Sequence, residues 1–131
     1  MNLQIVTLLS ILISSGSALA HGMNNHGPNG GYIKMPGAFH TELVDAQKTM
    51  RVYLLDMAFK NPEVINSTVH IKYKGKGVEA EYPCTKSSNY FECKKPKDGL
   101  KDIKEITVLA VRNNSKGREA VYAVPLKLEG M

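Results

Sequence analysis

From Tyr32 onward, apolar residues recur at every second position in short bursts broken by turn residues, and no window sustains a 3.6-residue period. Such alternation sends one face of an extended segment into a core and the other into water, so it predicts an all-β domain. The bursts are YIKM (32–35), FHTELVD (39–45), MRVYLLD (50–56), STVHIKYK (67–74), VEAEYP (78–83), NYFECK (89–94), EITVLAVR (105–112) and EAVYAVPLKL (119–128). Pro36-Gly37, Gly75-Lys76-Gly77, Lys97-Asp98-Gly99 and Asn113 to Gly117 punctuate them with residues that favour turns.

Seven or eight short strands in one domain-sized chain imply an immunoglobulin-like two-sheet sandwich over 32–131. Faces follow from the period. In the burst from Ser67, Val69, Ile71 and Tyr73 share one side, and Thr68, His70 and Lys72 the other. The last two bursts are apolar on both faces, which places both near the centre of a sheet. The connection 58–66, with its Asn61-Pro62 turn signal, is long enough to cross between sheets.

Ahead of this domain, Ile5 to Ile13 form an apolar run too short to span a bilayer, followed by the small residues of SALA. This predicts a secretory signal peptide over 1–20, cut after Ala20 at an A-x-A site, with His21 as the new N-terminus. The expected product is periplasmic or secreted and has no membrane span after cleavage. Its 21–31 segment, rich in His, Gly and Asn, is expected to be flexible.

Charge and cysteines are read in that setting. The net charge of +5 comes from lysines scattered without interleaved aromatics, a pattern of solvated surface and not of a nucleic-acid platform. Cys84 and Cys93 are the two cysteines. An even count without C-x-x-C spacing, in an oxidising compartment, reads as a disulfide stapling a hairpin.

Catalytic signatures are missing: there is no G-x-S-x-G, no phosphate-binding glycine loop and no H-E-x-x-H, so the expectation is a non-enzyme. Three of the four histidines, His21, His26 and His40, cluster early in the mature chain with Met23 and Met35. Imidazole suits borderline metals and thioether suits Cu(I), so this donor set points to copper among the transition metals. A terminal His21 offers its amine and Nδ1 as one chelate; His26 or His40 supplies a third nitrogen. Glu42 projects from the same strand face as His40, as a ligand or as a group that orients one.

The runs HGPNGG (26–31), GAFHTELV (37–44) and MRVYLLD (50–56) resemble a small exported β-sandwich domain with the pattern G-P-H-G-G, H-x-E-L and V-Y-L-L-D. Such domains occur alone or beside heavy-metal efflux membrane-fusion proteins and are metal-associated. The resemblance implies roles for His26, His40 and Glu42, while Asn29 stands where the family often has histidine. His21 is also similar to the first ligand of periplasmic copper carriers, whose later D-x-H pair has no counterpart here. Together these features lead to an expected copper carrier, buffer or accessory to an envelope metal-efflux component. The alternative is a non-catalytic envelope interaction module that docks without specific metal.

Overall fold

The computed structural model describes residues 26–128, so the leader expected over 1–20, His21 and Met23 lie outside the described residues. Ten strands occur among the described residues: β1 (Tyr32–Lys34), β2 (His40–Asp45), β3 (Met50–Leu55), β4 (Thr68–Gly75), β5 (Val78–Pro83), β6 (Thr85–Lys86), β7 (Phe91–Cys93), β8 (Ile103–Arg112), β9 (Ser115–Lys116) and β10 (Ala120–Ala123). One sheet runs β1-β2-β3-β7-β6 and the other β10-β8-β4-β5, with β9 paired to β8. Neighbouring strands are antiparallel throughout. The expected all-β sandwich is the fold found.

Alternation builds the core as read from the sequence. Leu43, Met50, Val52, Leu54 and Phe91 from the first sheet meet Val69, Ile71, Tyr73, Ile106, Val108 and Tyr122 from the second. Two core tyrosines need partners for their hydroxyls, because a buried polar group without one is costly. Tyr73 donates to Lys94 O at 2.5 Å and Tyr122 to Thr41 O at 2.8 Å. Both bonds run from the second sheet to backbone belonging to the first or directly following it, bolting the layers together. Burial pushes the Tyr73 phenol above its ordinary pKa, and the Tyr82 and Asp45 charges act in the same direction.

The connection 58–66 does cross between sheets, from β3 to β4. The chain crosses back at Cys84, whose N–H donates to Val69 O at 2.9 Å just before β6 begins. Cys84 and Cys93 stand at disulfide distance, with Cα atoms 4.5 Å apart, across the β6–β7 hairpin.

Two readings are corrected. β8 lies in mid-sheet, but β10 is at an edge, and its run ends after four residues, just before Pro125, a residue with no N–H to give a ladder. Its outward Val121 is exposed, so apolar character on both faces does not mark a central strand here. Two further strands, β6 and β9, are two residues each, too short to leave a period. Within the segment 21–31, residues 27–31 form a hydrogen-bonded turn, with Gly27 N to Gly31 O at 2.8 Å and Gly30 N to Gly27 O at 2.9 Å.

Candidate metal-ligand region

The outer face of the first sheet carries His40, Glu42 and Val44 from β2, opposite Leu55, Tyr53 and Arg51 of β3. Most solvent-side faces of a sandwich are polar, but this one has its own apolar cluster of Ile33, Tyr53 and Leu55, with Val44, Phe59 and Tyr90 packed against it. Glu42, fully buried in the middle of this face, requires compensation for its lost water.

The turn 27–31 supplies it. Asn29 N and Gly31 N both donate to Glu42 Oε2, at 2.9 and 2.8 Å, and Asn29 Nδ2 donates to Oε1 at 2.9 Å. Gly27 lies so close that an added Cβ would come within 2.5 Å of Glu42 Cδ and 2.6 Å of Ile33 Cδ1. Gly30, at φ +77°, takes the left-handed conformation that closes the turn. The carboxylate therefore holds a loop instead of pointing a free lone pair at an ion. Asn29, the departure from the resembled pattern, supplies two of its three donors.

His40 is buried at the start of β2. Its Nδ1 lies 3.0 Å from Asp56 O, and a carbonyl can only accept, so Nδ1 carries the proton and the lone pair of the neutral ring is on Nε2. The ring stacks on Phe59 with centroids 4.1 Å apart and planes at 21°. Phe59 itself sits at φ +61°, a strained conformation for a bulky residue. What holds it is the loop from Asp56 to Asn61. Asp56 Oδ1 accepts from Ala58 N and Lys60 N, both at 2.9 Å, and Oδ2 accepts from Asn61 Nδ2 at 2.8 Å. The Lys60 and Asn61 bonds, helped by Ala58 and the Arg112 charge, keep the Asp56 carboxyl below its ordinary pKa against a smaller desolvation effect. Arg112 also donates to Asn61 O at 2.7 Å and Leu54 O at 3.1 Å, fastening the loop to the sheet.

His26 is exposed at the entrance to the pinned turn. Its ring meets Tyr32 edge-on at 5.3 Å, and its Nδ1 makes a long 3.4 Å contact with Gly31 O. Among the described residues, no three His, Cys, Asp or Glu side chains assemble into a group able to hold a metal ion. Among the described residues, His26, His40 and Glu42 are thus not a centre by themselves.

Sequence reasoning missed Asn29, Gly27 and Gly31 as partners of Glu42, and Asp56 and Phe59 as partners of His40. The Asn29-Gly30 turn signal marked the first group's conformation but not its target. No signal marked the second, because the stack joins residues nineteen apart through a strained loop. No helix among the described residues is long and apolar enough to cross a membrane. No family model matches the chain, and neither does a curated protein or a solved structure.

Proposed function

We propose that this is an exported copper-binding protein, a carrier, buffer or accessory to envelope metal efflux, whose ion is held by the terminal segment and steadied by the sandwich. The observation that carries the reading is the anchored turn. Glu42 fixes residues 29–31 by three hydrogen bonds, and His26 enters that turn exposed, five residues after His21. The amine and imidazole of His21 form the first chelate, His26 adds the third nitrogen, and Met23 offers a thioether to the reduced ion.

Glu42 acts through the turn by positioning His26, as outer groups orient ligands in built metal sites. His40 has the orientation of a ligand histidine, with Nδ1 on a carbonyl and Nε2 bearing the lone pair. Its burial against Phe59 makes it the second candidate for the third nitrogen.

The test is a Cu(II) titration of the exported protein followed by EPR, after intact mass has established its first residue. A stoichiometric, nitrogen-rich signal that loses one nitrogen in His26→Ala and is unchanged in His40→Ala is expected. Failure to bind stoichiometrically, or a signal indifferent to deletion of 21–26, refutes the proposal.

A further inference from the structure

Where β4 and β10 end and β8 begins, a cavity of about 410 Å³ opens beside the 97–102 turn. Its walls are tied by Lys76 N to Asp102 O at 3.2 Å and Val124 N to Lys104 O at 2.9 Å. Gly75 approaches the Asp102 carbonyl so closely that no side chain fits between them, which presses the β4–β5 turn against the wall. Lys76, Lys101 and Lys104 line the cavity, with Asp102 as its one carboxylate and Leu100 and Val124 among its apolar lining.

The three lysines are exposed, and none has an ion-pair partner among the described residues. Three ammonium groups around one concavity repel one another, and an anion seated among them relieves that repulsion. Lysine suits such a role as a point charge for phosphate on a flexible stem. The apolar lining adds a second demand. A bare inorganic anion would leave it unfilled, whereas an anion with a hydrocarbon part would cover it and gain from the burial.

We propose that this cavity binds an amphiphilic phosphate ester, its head among Lys76, Lys101 and Lys104 and its apolar part against Leu100 and Val124. The same chemistry is offered by a lipid headgroup in a bilayer and by a soluble alkyl phosphate. The site shares no residue with the copper proposal, and each stands or falls without the other.

The experiment is a titration of the ¹⁵N-labelled exported protein with hexyl phosphate and with inorganic phosphate, read from backbone amide shifts. Saturable shifts at Lys76, Lys104 and Val124, with hexyl phosphate about tenfold or more tighter than inorganic phosphate, are expected. The triple variant Lys76→Gln, Lys101→Gln, Lys104→Gln should weaken binding by about tenfold or more. Lys60→Gln, Lys86→Gln, Lys116→Gln, with the same net charge and all sites exposed, should leave it within about twofold. Sedimentation with phosphatidylglycerol vesicles but not with pure phosphatidylcholine, lost in the first triple variant, identifies a bilayer source; hexyl phosphate binding without sedimentation identifies a soluble one. No saturable shift with hexyl phosphate and no vesicle capture, or equal weakening in both triple variants, overturns the proposal.

Discussion

Replacing Glu42 by Gln keeps the shape of the side chain and removes its charge, which isolates what the carboxylate contributes to the pinned turn. Both backbone donors, Asn29 N and Gly31 N, converge on Oε2. A glutamine can place its carbonyl there and keep both bonds, and the exposed Asn29 amide can rotate to accept from the new NH₂. The loss is then the difference between hydrogen bonds to a charged and to a neutral acceptor, about 1 kcal/mol for each of two backbone bonds. The expected cost is about 2 kcal/mol, or a fall in Tm of roughly 10 °C for a domain of this size. Glu42→Ala should cost more, about 3 to 4 kcal/mol, because it also leaves a void beneath Gly27. The loop can swing out and return its N–H groups to water, which caps the loss below the sum of three charged bonds. Urea unfolding at constant m, with hydrogen exchange at Asn29 and Gly31, measures both variants. If Glu42→Gln lies within about 0.5 kcal/mol of the parent and both amides remain equally protected, the carboxylate is not what holds the turn.

Gly27→Ala should cost about 1 to 3 kcal/mol, since the added methyl overlaps Glu42 and Ile33; an unfolding midpoint equal to the parent's would refute that packing. Reducing Cys84 and Cys93, or changing both to Ser, should remove about 2.5 to 3 kcal/mol of stability, read as the shift in urea midpoint with and without reductant. Asp56 has a folded pKa below the ordinary 3.8, so its contribution is present above that value and is lost as pH falls through the folded pKa. Protection factors at Ala58 and Lys60, corrected for the intrinsic pH dependence of exchange, should fall in that acid range and stay flat from pH 5 to 7. Tyr73 is the converse case, with a folded pKa raised above 10.0. The unfolded chain loses this proton first, so stability should decline by about 1.4 kcal/mol per pH unit above 10, and Tyr73→Phe should remove that slope in alkaline urea titrations.

The sandwich was legible because its evidence is local. Val69, Ile71 and Tyr73 point inward because strand geometry permits nothing else once one of them does. The same rule placed His40 and Glu42 on one face, correctly, but could not say what covers that face. An outward-facing carboxylate is ordinarily solvated; here a glycine turn eleven or more residues upstream folds over it, and only three-dimensional packing reveals the fit. The G-P-N-G-G and H-x-E-L runs therefore belong to one packed device, with the glycines admitting the backbone and the glutamate pinning it. Edge position was illegible for a related reason. β10 has the apolar content of a central strand, yet the sequence does not state which neighbours it will have.

Edges also decide how this molecule meets others. The first sheet ends in strands of three and two residues, β1 and β6, and β10 offers four before Pro125 follows. Borders this short give an incoming strand little ladder to extend, which guards the fold against edge-to-edge aggregation. β5 is the longest border at six residues, and Glu79 and Glu81 stand exposed along it. A partner that adds a strand here must bring basic side chains to those positions, so the fold leaves one selective seam where self-association is disfavoured by charge.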